Sequence, residues 1–311
     1  MRVVFMGTSI FAVPSLLKLY HSSYHQIVGV VSQPDKARGR GKKLSTTPVK
    51  ETALHLGLEI YQTNNIKSDE ALAKIREWHP EIIIVASYGQ IIPESILEYP
   101  TYGCINVHAS ILPEYRGAAP IQRALMAGED STGITIMYMD KGLDTGDILA
   151  QYELPIRDEM DHGTLENILA EIGAELLIQV IKEIEQGSAS RMKQDDSRAT
   201  YAHMLKPEDE VINWSEPSGA IFNQIRALSP SPGSYTWLDD RKIKIFAARI
   251  IDESTDGEIG QVVRLSSEGF VVKTGDKLLE ILEVQKEGKN RIKAVDFLRG
   301  YKGISGRILG R

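Results

Sequence analysis

An asparagine and a histidine lie two residues apart near the middle of this 311-residue sequence. The spacing from Cys104 to His108 predicts a strand in which the side chains of Asn106 and His108 share one face. An amide can donate a hydrogen bond to a negatively charged oxygen, and an imidazole can do the same or transfer a proton. The pair therefore suits a reaction in which an oxygen gains negative charge.

A carboxylate in a second loop completes a candidate catalytic set. Proline and glycine residues between 113 and 120 predict a loop soon after the strand that carries Asn106 and His108. Ligands usually bind at the carboxyl ends of strands in α/β sheets. The stretch 140–147 is rich in glycine and aspartate and follows another predicted strand. Its Asp144 can orient or charge the histidine, or accept a proton through water. Asn106, His108 and Asp144 together suit acyl transfer.

Two other chemistries are compatible with some of these residues. One His, one Asn and a distant Asp make a poor metal site, so no metal is expected. A Ser–His–Asp hydrolase that uses Ser110 stays open, although the sequence has no G-x-S-x-G elbow and Ser110 lies only two residues after His108. The remaining histidines are expected to be surface or structural residues; they are His21, His25, His55, His79, His162 and His203.

The elements that would carry these residues alternate between strand and helix patterns, which predicts an α/β fold. The chain opens with a strand, a turn and a helix, as a doubly wound sheet does, but no G-x-G-x-x-G follows, so a dinucleotide cofactor is not expected.

Residues 187–208 show no helical or strand periodicity of apolar residues and are expected to form a linker. After them come a helix, which Ser215 is expected to cap, and five short strand patterns between 234 and 284 that predict a small β-barrel.

Composition places the chain among ordinary globular proteins, with 42% apolar and 25% charged residues. Cys104 is its only cysteine, so disulfides are excluded and a reducing compartment is expected. No apolar run approaches the ~20 residues of a membrane span. The first residues enter a turn too early for a signal peptide. We expect a cytoplasmic protein that does not bind membranes.

Basic residues are concentrated in two segments of an otherwise acidic chain. The net charge of −6 argues against a general nucleic-acid binder. The segments 33–50 and 286–311 are nevertheless basic, which indicates a local site for a polyanion or, alternatively, two solvated surfaces. Glycines and like charges disfavour regular structure over 33–48, so we expect a long functional loop there.

Six stretches of the sequence form a set of motifs: Phe5 to Pro14, Gln33 to Leu44, Asn106-x-His108, Ser110 to Ala124, Gly142 to Gly146 and Asp296 to Gly300. This set resembles the methionyl-tRNA formyltransferase family, a group of 10-formyltetrahydrofolate-dependent formyltransferases. The resemblance extends over essentially the whole chain, and Ser9 departs from it in a turn where proline is expected.

The resemblance implies a Rossmann-like formyltransferase catalytic domain over 1–187, a linker over 188–208 and an OB-fold-like tRNA-binding domain over 209–311. It implies 10-formyltetrahydrofolate as formyl donor and initiator Met-tRNA as acceptor. Asn106 and His108 would stabilise the oxyanion. Asp144 would polarise His108 and help the proton leave the attacking amine.

Binding residues also follow from the resemblance. Those expected to bind folate are Ser110, Ile111, Leu112, Pro113, Tyr88, Gly89, Gln90 and Asp140. Those expected to bind tRNA are Lys36, Arg38, Arg40, Lys42, Lys43, Lys286, Lys289, Arg291, Lys293 and Arg299. We expect an enzyme that acts as a monomer.

Three alternatives stay open at this point. Formyltransferases that act on glycinamide ribonucleotide or on sugar nucleotides share the catalytic residues, and so do formyltetrahydrofolate hydrolases. The basic segments would have no obvious role in those enzymes. A folate-regulated RNA-binding protein without turnover would not need the three catalytic residues.

Overall fold

The computed structural model describes residues 1–38, 43–301 and 303–310, with the backbone alone at 37, 38 and 43. The chain divides into two compact units. The first consists of Met1–Pro120, Ser131–Pro155 and Glu166–Ala202, and the second of Ile121–Asp130, Ile156–Leu165 and His203–Arg311. Part of the expected linker, as far as Ala202, thus groups with the first unit. The domain boundaries given above stay a prediction.

The first unit contains short and long strands in chain order. They are β1 (Arg2–Gly7), β2 (Gln26–Ser32), β3 (Lys36–Arg38), β4 (Lys43–Ser45), β5 (Ile60–Gln62), β6 (Ile82–Ala86), β7 (Cys104–His108), β8 (Arg116–Gly117), β9 (Ser131–Tyr138), β10 (Ile148–Pro155) and β11 (Tyr201–Ala202). Seven of them form one sheet in the order β10-β9-β7-β6-β1-β2-β5. The five strands from β7 to β5 are parallel, and β9 and β10 are antiparallel to their neighbours. This sheet confirms the α/β class.

The order of the strands creates a switch point between β1 and β6. From β1 the chain adds β2 and β5 on one side, and then returns to add β6 and β7 on the other. Every residue of β6 is buried, because the β-branched run of this strand is covered on both faces of the sheet. Ligands of open α/β sheets bind outside the carboxyl ends of the strands at such a point.

Helices connect these strands, and two of them begin at well-defined caps. The helices are α1 (Val13–His21), α2 (Pro48–His55), α3 (Asp69–Glu77), α4 (Glu94–Leu97), α5 (Pro120–Ala127) and α6 (His162–Glu185). The hydroxyl of Thr47 accepts from the Lys50 amide before α2, and that of Ser68 accepts from the Ala71 amide before α3. These hydrogen bonds satisfy amides that have no partner inside the helix.

The expectation of a structureless loop over 33–48 is wrong for part of that segment. Strands β3 and β4 pair as an antiparallel hairpin. Ladder hydrogen bonds can form here because repulsion between exposed like charges is weak in water. The base of the hairpin is held by Asp35, whose carboxylate accepts from Lys50 at 2.6 Å and from Gln62 at 2.8 Å. Two of the expected tRNA-binding residues, Arg40 and Lys42, lie outside the described residues.

The second unit is built on an antiparallel sheet. Its remaining elements are α7 (Ser218–Ala227), β12 (Ser234–Leu238), β13 (Arg241–Ile251), β14 (Val262–Leu265), β15 (Phe270–Lys273), β16 (Leu278–Lys286), β17 (Ile292–Lys293) and α8 (Ala294–Arg299). The order is β12-β13-β16-β15-β14, and β17 pairs with β16. Within the described ranges no ladder joins β12 to β14. The expected barrel therefore stays a prediction.

The start of α7 differs from the expectation that Ser215 caps it. The helix begins at Ser218, after Pro217, and neither Ser215 nor Pro217 caps it with a side chain. Asp276, far along the chain, accepts a hydrogen bond from the Ser218 amide at 2.7 Å instead. A cap supplied by tertiary structure cannot be seen in the local sequence. No helix in the described part of the chain is both long and apolar enough to span a membrane.

Candidate active site

Asn106 and His108 lie at the carboxyl end of β7, where the parallel part of the sheet meets its antiparallel edge. In register, Asn106 lies between Val85 of β6 and Met137 of β9. His108 is buried and Asn106 is half-buried. The amide of Asn106 makes no hydrogen bond to any residue that the structure describes. Its donor is therefore free to bind a substrate.

The ring of His108 is held between two protein groups. Its Nε2 lies 3.0 Å from the carbonyl oxygen of Tyr115. Because a carbonyl only accepts, Nε2 must carry a hydrogen and donate it. Nδ1 lies 3.7 Å from Oδ2 of Asp144, which is within ion-pair range but too long for a direct hydrogen bond. The structure thus brings together His108 and Asp144, residues that are far apart in sequence.

Asp144 lies in a tight turn between β9 and β10. Its backbone has a φ of +55°, and its Oδ2 accepts a hydrogen bond from the Gly117 amide at 2.8 Å. A Cβ on Gly146 would lie 1.9 Å from the Tyr138 carbonyl oxygen, so no larger residue fits there. The carboxylate of Asp140 closes the same turn by accepting from the Thr145 hydroxyl at 2.6 Å. The glycine- and aspartate-rich sequence thus has a geometric reason.

The segment after His108 is mostly buried, which limits what its side chains can bind. Ser110, Leu112 and Pro113 are buried, and Ile111 is half-buried. The hydroxyl of Ser110 donates to the Glu114 carbonyl at 2.6 Å. A hydroxyl engaged in this way is poorly placed as a nucleophile, so this geometry does not favour the Ser–His–Asp alternative.

The loop after β6 lies at the switch point of the sheet. Tyr88 is buried, burial raises the pKa of its hydroxyl, and that hydroxyl has no hydrogen-bond partner among the described residues. The backbone carbonyl of Tyr88 accepts hydrogen bonds from the Thr8 hydroxyl at 2.9 Å and from the side-chain amide of Gln33 at 3.0 Å. The side chain of Gln90 bonds the backbone of Ile66 and Thr63. Sequence reasoning missed Gln33, which joins the base of the β3–β4 hairpin to this loop.

The side chains expected to bind folate are therefore largely engaged within the protein. Those of Ser110, Gln90 and Asp140 hold their own loops. Gly89 is exposed at a φ of +83°, and Ile91 and Leu143 are exposed apolar side chains of the same two loops. Backbone polar groups beside exposed apolar surface are what these loops present to a ligand.

The basic residues expected to bind tRNA differ in how they are paired. Arg291 forms an ion pair with Glu283, and Arg299 forms one with Asp296 at 2.6 Å. The second unit also holds three lysines of the expected set, Lys286, Lys289 and Lys293, and none of them forms an ion pair with a residue that the structure describes. In the first unit, the amine of Lys36 donates to the Gln33 side chain at 3.1 Å. For Arg38 and Lys43 the structure describes only paired backbone.

Aromatic rings lie beside two lysines of the second unit, Lys286 and Lys242. The amine of Lys286 lies 4.8 Å from the ring centre of Phe297. On the adjacent strands, Lys242 lies over the ring of Tyr235 at 3.3 Å, and Trp237 is partly exposed. Sequence reasoning missed Lys242 and Trp237, although alternating basic and aromatic residues on β12 and β13 were a signal. A cation over a half-buried ring next to an exposed one, as at Lys242, Tyr235 and Trp237, suits a nucleic-acid backbone and its bases.

The chain belongs to the formyl transferase family. The family model "Formyl transferase" matches residues 1–181, and the model "Formyl transferase, C-terminal domain" matches residues 204–302. Within the described residues no cluster of His, Cys, Asp and Glu could hold a metal ion.

Full-length relatives narrow the class further. The chain is 56% identical over 311 residues to a methionyl-tRNA formyltransferase of Syntrophomonas wolfei, covering 100% of this chain and 99% of the relative. It is 48% identical to that of Moorella thermoacetica, with the same coverage. Among solved structures, the sugar 3N-formyl transferase WlaRD has the same fold at a TM-score of 0.66 and 22% identity, over 93% of this chain and 99% of that one.

Proposed function

We propose that this chain transfers the formyl group of 10-formyltetrahydrofolate to the α-amino group of methionine on initiator Met-tRNA. Relatives named methionyl-tRNA formyltransferase, 44–56% identical over nearly the full chain, support this function. The observation that carries it is the 3.7 Å approach of Asp144 to His108, two residues after Asn106 on β7. We also propose that the enzyme is a cytoplasmic monomer.

In this proposal Asn106 stabilises the oxygen that gains negative charge. Its amide is free to donate, and a fixed donor in a partly buried site stabilises developing charge without reorganisation. Both ring nitrogens of His108 face protein groups. His108 therefore donates to the same oxygen only if that oxygen displaces the Tyr115 carbonyl from Nε2.

The His108–Asp144 pair moves the proton of the attacking amine. Nδ1 of His108 and Oδ2 of Asp144 lie 3.7 Å apart and can hold the proton that the amine loses. The Gly117 amide donates to the same carboxylate oxygen and holds it beside the ring. A carboxylate in this position stabilises the imidazolium that forms when Nδ1 takes up a proton. As the bond between the formyl carbon and the folate nitrogen breaks, that nitrogen takes up a proton, which balances the one that the pair has removed from the amine.

The loops at the switch point fit a folate. The folate supplies the formyl group, already activated by its attachment to a nitrogen. A pterin ring has apolar faces and a polar edge. The loops 87–91 and 140–145 present backbone groups at Gly89 and exposed apolar side chains at Ile91 and Leu143. The buried segment 110–113 would shape one wall through its backbone.

The basic surface of the second unit gives the tRNA a binding site in this proposal. Lys289 and Lys293 form no ion pair with the described residues, whereas Arg291 and Arg299 are paired with carboxylates. Lys286 contacts the Phe297 ring and also forms no such ion pair, so all three lysines can neutralise phosphates. Lys242 and Trp237 add a further cation and ring to this unit. Contacts of this kind bind the phosphate backbone without reading its sequence. We assign the selection of initiator tRNA over other tRNAs to the segment 33–48, which includes Arg40.

The experiment compares acceptors under one set of conditions. The purified enzyme is given 10-formyltetrahydrofolate with initiator Met-tRNA, uncharged initiator tRNA, elongator Met-tRNA, glycinamide ribonucleotide or an amino-sugar nucleotide. We expect rapid formylation of initiator Met-tRNA alone. Formylation of either small amine in preference to Met-tRNA would contradict the proposal, and so would release of free formate at the same rate with no acceptor.

A further inference from the structure

The segment 191–202, which we call the strap, contacts both loops that carry the candidate catalytic residues. Its strand β11 pairs in parallel with β8, in the loop that follows His108. The hydroxyl of Thr200 accepts from the Tyr115 amide at 2.8 Å, so the strap holds the residue whose carbonyl binds His108. At the other end, Arg191 stacks over the Tyr138 ring at 3.9 Å, directly before the Asp144 turn.

Gln194 is the residue of the strap that contacts the Asp144 turn itself. Its Nε2 donates to the backbone carbonyls of Asp144 and Gly146, both at 2.8 Å. Gln194 is half-buried, whereas all the other residues from 190 to 198 are exposed. The side chain is thus turned inward within a segment that otherwise faces solvent.

Arg116 fixes the other end of the Gln194 side chain. Oε1 of Gln194 accepts from Nε of Arg116 at 3.1 Å and from Nη2 at 2.7 Å. The Arg116 side chain is buried, and Asp196 of the strap neutralises its charge at 2.7 Å. Arg116 directly precedes Gly117, whose amide binds the Asp144 carboxylate. The amide group of Gln194 therefore bridges the two loops between which that carboxylate lies.

We infer that Gln194 is a positioning residue that holds Asp144 in register with His108. The inference rests on the proposed function. Asp144 has a positive φ, which its side chain does not favour, so contacts around the turn must maintain it. Nε2 of Gln194 donates to two carbonyls of that turn, while Arg116 donates to Oε1 of Gln194. Without it, the carboxylate loses its fixed distance from Nδ1 of His108.

Two variants separate hydrogen bonding from packing. Gln194→Ala removes the bridge, and we expect kcat to fall by about 10- to 100-fold, because small displacements of catalytic groups are costly. Gln194→Glu keeps the size and the bond to Arg116 but replaces the two donors by an oxygen facing two carbonyls. It should therefore lower kcat at least as far. Gln179→Ala, an exposed Gln on α6 that bonds Glu183, is the matched control and should match the parent.

A double-mutant cycle shows whether Gln194 acts through Asp144. Single-turnover rates with excess enzyme are measured for the parent, Gln194→Ala, Asp144→Ala and the double variant, with thermal unfolding of each. We expect the double variant to be within about threefold of Asp144→Ala, because residues that act as a unit are not additive. The apparent KM for 10-formyltetrahydrofolate should change less than kcat.

The outcomes distinguish this inference from the proposed function. An inactive parent on every acceptor would overturn the proposed function. An active parent with normal kcat in Gln194→Glu would overturn only the role of Gln194. Full multiplication of the two defects in the double variant would also overturn it, because the residue would then act independently of Asp144.

Discussion

Asn106 has an amide that no described residue engages, whereas both nitrogens of His108 already have protein groups beside them. This difference predicts which residue stabilises the transition state most directly. Asn106→Ala should lower kcat by on the order of 10²–10³, with a much smaller change in KM for folate. Steady-state kinetics with initiator Met-tRNA measure this. Asn167→Ala, at an exposed position of α6, is the control, and an unchanged kcat for Asn106→Ala would refute the role.

The buried thiol at the start of β7 gives a second prediction at the residue scale. Burial raises the pKa of Cys104 to about 12, and Sγ faces the carbonyls of Ile96 and Leu97 at 3.7 Å. At pH 8 roughly one thiol in ten thousand is then ionised. We expect iodoacetamide to leave the native protein unlabelled for hours and to label it quickly in guanidinium chloride. Equal rates in both states would show that β7 is not buried as described.

At the scale of elements, α6 begins with a histidine that prefers to be neutral. Burial lowers the pKa of His162, an effect that exceeds the opposing influence of Asp161, and its Nε2 contacts the Gln122 side chain at 2.8 Å. The unfolded chain therefore binds a proton near pH 6.5 that the folded chain resists. Stability contributed by the neutral ring is complete above that pH and is lost as the pH falls below it.

This linkage predicts how a variant changes the pH dependence of unfolding. Between about pH 7.5 and about pH 5.5 the Tm of the parent should fall further than the Tm of His162→Gln. Differential scanning calorimetry at the two pH values measures the difference. His55→Gln, at the exposed end of α2, should behave as the parent does. A parent and a His162→Gln variant with equal Tm shifts would contradict the prediction.

The elements also show how far the sequence predicted the structure. Among the strands of the first sheet, β6 has the clearest sequence pattern, because a short apolar run that is buried throughout is typical of a strand covered on both faces. The missed features depend on distant partners. The base of the β3–β4 hairpin is held by Asp35 and its two partners, and α7 is capped by Asp276. The strap is held by contacts with the loop after β7 and with the Asp144 turn.

The part of the site that lies on one strand was also predictable from the local sequence. Asn106 and His108 are neighbours on one strand, so their residue types and spacing were visible locally. Asp144 was included because its loop follows another predicted strand, and the resemblance gave it the same role; the structure brings it to 3.7 Å from His108. The roles of Gln33 and Gln194 could not be predicted, because glutamine is common on surfaces and its partners here are backbone groups of remote loops.

At the scale of the whole molecule, the expected tRNA-binding residues of the second unit fall into two groups. Arg291 and Arg299 form ion pairs, whereas Lys286, Lys289 and Lys293 form none with the described residues. The triple variant Lys286→Ala, Lys289→Ala, Lys293→Ala should weaken tRNA binding and reduce the slope of log K against log salt by about two to three. Filter binding from low to moderate salt measures the slope. Lys277→Ala, whose charge is paired with Asp252 at 2.8 Å, should leave it nearly unchanged. An unaltered slope in the triple variant would place the tRNA elsewhere.

The most direct test of formyl transfer to methionine on tRNA is the identity of the product. Initiator tRNA charged with methionine is incubated with 10-formyltetrahydrofolate and the enzyme, the ester bond is hydrolysed, and the released amino acid is analysed by mass spectrometry. We predict N-formylmethionine with the parent enzyme and, at equal times, mostly unmodified methionine with Asn106→Ala. Unmodified methionine with both enzymes, while the formyl donor is consumed, would contradict the central claim.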